Sequence, residues 1–175
     1  MSNKTHRTDK PQPNPDEHAR AVSGMFGRIA GWYDFLNHSL SMGQDIIWRK
    51  RLVKLVNIGP TGRFLDLAAG TLDVSIALAK KHPESLVLGM DFSLPMLAKG
   101  RKKLTKLKKG RVLTVPADGR FLPLADESVD SVTIAFGIRN IIPRKTAFRE
   151  IFRVLAPGGR LCILEFGSGK SRIMG

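Results

Sequence analysis

The chain has 175 residues, 42% hydrophobic and 25% charged, a balance that suits one folded domain with a buried core. It carries 29 Lys and Arg against 15 Asp and Glu, and a formal charge of +14 favours anionic partners: lipid head groups, nucleic acid or acidic ligands. No run approaches the roughly 20 apolar residues of a membrane helix, and the lone Cys162 excludes an internal disulfide framework and fits a reducing cytoplasm.

Residues 1–20, with three prolines and little to bury, predict a disordered lead-in, and they lack the apolar centre of a secretory signal. The remainder, 21–175, reads as one domain: N-terminal helices over 21–58, an α/β core over 62–166 and a short tail over 167–175. Ser23 to Asn37 is helical in pattern and mixes small residues with Phe26, Trp32, Tyr33 and Phe35. Gln44 to Asn57 is an amphipathic helix. It carries Ile46, Ile47, Leu52, Val53, Leu55 and Val56 on one side and Arg49, Lys50, Arg51 and Lys54 largely opposite, and it ends at Gly59-Pro60.

From Arg63 short apolar runs alternate with helical segments. Phe64–Leu67 reads as a buried strand and Asp73 to Lys81 as a helix. Leu86–Met90 is a second strand, and a helix opens behind it with Ser93 as N-cap and Pro95 in its first turn. Val112–Val115 is a third strand and Val129–Phe136 a fourth. A helix from Pro143 to Leu155 follows, then a Pro157-Gly158-Gly159 turn into a fifth strand, Leu161–Phe166. This alternation predicts right-handed βαβ units and a parallel sheet with helices on both faces, a Rossmann-like α/β fold with strand order 3-2-1-4-5.

In such sheets ligands collect at the carboxyl ends of the central strands. The first strand leads into Asp66-Leu-Ala-Ala-Gly70-Thr71-Leu72-Asp73, whose small residues let a ligand approach the backbone. The second ends at Asp91, where a carboxylate is placed to accept from ribose hydroxyls. The third is followed by Asp118 and Gly119, placed to meet an adenine edge. The dinucleotide fingerprint needs G-x-G-x-x-G to cradle a pyrophosphate, and this turn offers only Gly70 and no cation. A ligand with ribose and adenine but no phosphate fits better, which points to S-adenosylmethionine. Gly167-Ser-Gly-Lys-Ser171 imitates half a phosphate-binding loop, but Leu164 stands where that motif requires Gly. His6, His18, His38 and His82 share no metal-ligand spacing, so no metal is expected.

From Met25 to Glu165 the chain resembles the quinone-biosynthesis C-methyltransferases that methylate demethylmenaquinone or a polyprenyl benzoquinol. Four blocks carry the resemblance: Tyr33-Asp-Phe-Leu-Asn37 with Ser41 and Trp48-Arg49; Leu65 to Thr71; Thr133-Ile-Ala-Phe-Gly-Ile-Arg-Asn140; and Arg153 to Glu165. The first and third are the particular ones. The resemblance implies that Gly70, Thr71, Asp91, Asp118 and Gly119 bind the cofactor. A prenylated quinol is the implied acceptor. Arg139 and Asn140 lie just after the fourth strand, at the ligand-bearing edge. Arg139 is placed to stabilise a developing phenolate and Asn140 to orient it or a water. Tyr33, Asp34 and His38 are drawn towards the acceptor pocket.

Three residues depart from the family pattern. Leu72 replaces a usual Gly, which predicts a bulkier turn beside the cofactor, while Asp45 (for His) and Gly167 (for Ser) read as peripheral. The family also runs on beyond residue 175 by a helix and two strands. Without these the fifth strand is expected to be an exposed edge prone to self-association, with weak cofactor binding and poor turnover. The basic run Lys99, Arg101, Lys102, Lys103, Lys106, Lys108, Lys109 and Arg111 contains no acid. It reads either as a solvated face or as a docking patch for anionic lipid or RNA, the lipid reading being that of a cytoplasmic protein held peripherally at the inner face of the membrane. An RNA or protein methyltransferase is the competing class suggested by charge. The chain lacks the aromatic–basic interleaving of a single-strand platform, and no nucleic acid is expected. The other alternative is a cofactor-binding protein without turnover.

Overall fold

The computed structural model describes residues 14–29, 31–32, 41–56, 61–107 and 111–167. Five strands form one sheet: β1 (Arg63–Leu67), β2 (Leu86–Asp91), β3 (Arg111–Pro116), β4 (Val129–Ala135) and β5 (Leu155–Leu164). Their order is β3-β2-β1-β4-β5 and every neighbouring pair is parallel, as the alternation predicted. The helices are α1 (Pro15–Ile29), α2 (Gln44–Leu55), α3 (Asp73–Lys81), α4 (Leu94–Leu104) and α5 (Arg144–Val154), with a 3-10 turn at Ile138–Asn140.

Strand periodicity divides the core. Leu65 and Leu67 of β1 join Val132 and Ile134 of β4 and Ile151 and Val154 of α5 in one cluster. Phe64 faces the other way, to Leu52, Val53 and Val56 at α2, Val74, Leu78 and Ala79 of α3, and Val87 and Cys162. With both faces covered, the strands are near-continuous apolar runs, as buried parallel strands must be.

Three expectations change. The lead-in does not extend to residue 20, because α1 begins at Pro15. Asn14 Oδ1 accepts from the Asp16 amide at 3.0 Å, Pro15 occupies the first turn, and Asp16 and Glu17 sit at the positive end of the helix dipole. Polar composition concealed a helix whose apolar stripe is narrow. The helical pattern from Ser23 stops at Ile29 among the described residues, and Tyr33, Asp34, Phe35, Asn37 and His38 lie outside them. The fifth strand starts earlier than expected, and Pro157-Gly158-Gly159 forms a bulge within it. Val129 pairs with Leu155 and Ser131 with Arg160, and Gly158 takes φ +78°.

Leu72 is the most informative departure. It takes φ +66°, a left-handed backbone that glycine tolerates best, yet its side chain is completely buried. The side chain points away from the ligand side, into a space left by two glycines. A Cβ at Gly89 would lie 2.7 Å from Leu72 Cδ2, and one at Gly100 would lie 2.5 Å from Leu72 Cγ. The turn is therefore not bulkier towards a ligand. Left-handed backbone costs about 1–2 kcal/mol and burying a leucine returns about 1.5–3 kcal/mol, so packing wins.

Candidate active site

One cleft lies at the carboxyl ends of the strands, where the sheet order reverses between β1 and β4, the usual ligand position in open α/β sheets. It encloses about 760 Å³ out to its mouth, and its lining includes Gly70, Asp91, Asp118, Gly119 and Asn140. Five of the seven residues singled out from the sequence therefore meet at one place. Thr71 and Arg139 do not line it.

Asp91 closes β2 and organises the glycine turn. Its Oδ2 accepts from the Gly70 amide at 2.8 Å and its Oδ1 from the Ser93 amide at 2.7 Å. Gly70 has φ +55°, which aims its N–H at the carboxylate rather than outward for an anionic ligand. Burial raises the Asp91 carboxyl above its ordinary range, opposed by these two amides. A carboxylate oxygen has two lone-pair directions, so capacity remains for hydroxyl donors in the cleft.

Asp118 closes a tight turn: Oδ1 accepts from the Arg120 amide at 2.9 Å, an Asx turn. The Arg120 guanidinium returns onto the same carboxylate, with Nε at 3.0 and 3.1 Å and Nη2 at 2.6 Å. The loop after it is held by α5. Glu150 accepts from the Leu122 amide at 2.8 Å, and Arg153 donates to the carbonyls of Leu122 and Leu124.

Behind β1 the polar residues form a second layer. Asp66 is buried and accepts from Ser75 Oγ at 2.6 Å and Thr133 Oγ1 at 2.9 Å. Burial pushes its carboxyl up to about 6, partly offset by those hydroxyls. Thr71 is buried and accepts from Lys103 Nζ at 2.9 Å, on the far side of the turn from the cleft. Lys103 and Arg49 both reach Asp73 at 2.6 Å. Arg49 also pairs with Asp45, which accepts from Ser41 Oγ. Asp45 is buried and steadies Arg49, which fastens α2 to the start of α3, although the sequence reads Asp45 as peripheral.

The 3-10 turn decides the fate of its three residues, because three residues per turn send successive side chains about 120° apart. Ile138 enters the core, Asn140 faces the cleft, and Arg139 points outward. Arg139 is 48% exposed, 3.5 Å from Glu165 and over the Phe166 ring at 5.5 Å. Sequence reasoning missed the apolar half of the cleft, to which Val22 and Phe26 of α1, Phe92, Phe136, Ile141 and Ile142 contribute. Phe136 stacks on Phe166 at 4.9 Å, and Trp48 lies 6.3 Å from Phe136. The aromatic content of the third block hinted at Phe136; nothing local announced Val22.

The sheet order, the glycine turn and the cleft at the switch point define a Rossmann-like α/β protein of the methyltransferase architecture. The chain belongs to the ubiE/COQ5 methyltransferase family, whose model matches residues 14–174. It is 44% identical over 154 residues to the ubiquinone/menaquinone biosynthesis C-methyltransferase UbiE of Geotalea daltonii, covering 87% of this chain and 66% of that protein. It is 46% identical over 142 residues to the demethylmenaquinone methyltransferase of Thermus thermophilus, covering 81% and 64%. The chain thus spans somewhat less than two thirds of the length of these relatives. Among solved structures it resembles a SAM-dependent methyltransferase from Aquifex aeolicus (TM-score 0.62, 22% identity, 67% of this chain and 63% of that one). The [4+2]-cyclase SpnF superposes with a TM-score of 0.71 at 21% identity, over 84% and 60%, so this likeness speaks for the fold and not the reaction.

Proposed function

We propose that the protein transfers a methyl group from S-adenosylmethionine to a ring carbon of a prenylated quinol, of the demethylmenaquinol or polyprenyl-benzoquinol type. The observation that carries this reading is the meeting of Asp91, Asp118 and the Gly70 turn in one cleft with an apolar, aromatic second half. The polar half suits the cofactor. It presents two carboxylates, and its one lining cation among the described residues, Arg120, is already held by Asp118 and Asp16. A pyrophosphate would face repulsion there, whereas a sulfonium with ribose and adenine would not.

When bound, the cofactor supplies an electrophilic methyl group. Asp91 would hold the ribose hydroxyls, Asp118 and Gly119 would border the adenine, and the turn at Gly70 would let the ligand approach the backbone. Thr71 supports that turn from behind through Lys103. A flat quinol ring fits between Phe26, Phe136, Ile141 and Ile142. Transfer of that methyl to a ring carbon would release S-adenosylhomocysteine and the ring proton. The ring is nucleophilic once a quinol hydroxyl is deprotonated, and Asn140 is placed to hold that oxygen by a hydrogen bond. Arg139 would join it only by leaving Glu165.

Labelled S-adenosylmethionine with short-chain quinols reduced in situ tests the reading. Label should appear on quinol carbon, and absence of transfer alongside intact S-adenosylhomocysteine binding would favour a cofactor-binding protein without turnover.

A membrane-borne acceptor also gives the basic face a use. Arg101, Lys102, Lys106 and Arg111 are exposed, while Lys99 and Lys103 turn inward to the Gly31 carbonyl and to Thr71 and Asp73. Among the described residues no helix is long and apolar enough to cross a membrane. Peripheral contact with an anionic cytoplasmic surface, at up to about 1 kcal/mol per basic residue, is therefore part of the proposal. Flotation with anionic and neutral liposomes at two salt concentrations tests it. Equal binding to both would reduce the run to a solvated face. Self-association through β5 is proposed on the same footing, since β5 is the sheet edge among the described residues and the exposed Phe152 and Ile163 lie beside it; light scattering decides it.

A further inference from the structure

Helix α1 roofs the cleft. Ala19, Val22, Ser23 and Phe26 recur at helical spacing on one face and line it. No residue of α1 is buried, so little apolar area holds the roof down. Near its C-terminal end Gly27 backs onto Pro95 of α4, where an added Cβ would lie 3.4 Å from the proline Cγ. Near its N-terminal end Asp16 Oδ1 accepts from Arg120 Nη2 at 2.7 Å.

The guanidinium that grips Asp16 is the one that grips Asp118. The Arg120 side chain is 8% exposed, against 67% for Asp16 and 20% for Asp118. A buried guanidinium needs compensation, and here two acids far apart in sequence supply it. We infer that Arg120 is a positioning residue that latches helix α1 over the cleft through Asp16 while fixing the Asp118 carboxylate at the cofactor side. Closure of the roof and orientation of the adenine-side acid are then set by one side chain. The assignment of Asp118 to the cofactor rests on the proposed function; the latch itself does not.

Trypsin reports the latch in the ligand-free protein, because Arg20 lies within α1 and cleavage follows the population of the open form. Loss of a partly exposed ion pair shifts such an equilibrium only a few-fold. Asp16→Asn should therefore speed cleavage after Arg20 about two- to fivefold, and Asp16→Glu should restore slow cleavage. Arg120→Met should speed cleavage similarly and also weaken S-adenosylhomocysteine binding about tenfold, a loss Asp16→Asn should not share. Asp16 is exposed, so its variants fold even where Arg120→Met does not. Cleavage of Asp16→Asn at the wild-type rate would overturn the latch. Absence of S-adenosylhomocysteine binding by the wild type, with the cleavage pattern intact, would support the latch and remove the cofactor reading instead.

Discussion

Asp91 accepts the Gly70 amide at 2.8 Å across 21 residues of sequence, so the acid at the end of β2 shapes the turn at the end of β1. The two elements proposed to share the cofactor are one hydrogen-bonded unit. Asp91→Ala should cost about 2–3 kcal/mol of S-adenosylhomocysteine affinity, as for charge-assisted bonds, and some stability, since the Gly70 and Ser93 amides both lose their acceptor. Calorimetric titration paired with a thermal melt checks both; unchanged affinity would remove Asp91 from the cofactor site.

Asn140 and Arg139 are neighbours with opposite outlooks. Asn140→Ala should reduce turnover about 10²-fold, the magnitude for loss of one donor to a developing oxyanion, with cofactor affinity within about threefold. Arg139→Ala should cost less, because its guanidinium lies on Glu165 and Phe166 outside the cleft lining. Steady-state kinetics on both variants decide between them, and a larger effect at Arg139 would mean that it swings inward during the reaction.

Leu72→Gly restores the glycine that the family pattern favours, yet it should destabilise the protein. It relieves about 1–2 kcal/mol of backbone strain but empties the space between Gly89 and Gly100, and leucine truncations cost about 2–5 kcal/mol. A net loss near 1–3 kcal/mol in urea unfolding is expected, with cofactor affinity nearly unchanged because the side chain faces away from the cleft.

Asp66 should make stability depend on pH. Its folded carboxyl, near 6, lies above the ordinary 3.8, so the folded state binds its proton more tightly than the unfolded chain. The stability this group contributes is full below about pH 3.8 and is lost as pH rises through 6, about 3 kcal/mol in all. Asp66→Asn cannot ionise. Urea midpoints at pH 4.5 and pH 7.5 should show the variant gaining on the wild type as pH rises, and a constant difference would show that Asp66 is already ionised in the folded protein at pH 4.5.

Sequence by itself determined the sheet, because buried parallel strands and amphipathic helices announce themselves through local periodicity. It also located Gly70, Asp91, Asp118 and Gly119, since strand ends in this topology converge wherever the strands are read correctly. Tertiary structure decided everything that depended on side-chain direction. Leu72 looks like an obstruction until Gly89 and Gly100, distant in sequence, supply its room. Arg139 looks as well placed as Asn140 until the 3-10 turn separates them. Arg120 has a local partner in Asp118, but its latch comes from Asp16, 104 residues away in the chain and 2.7 Å away in space.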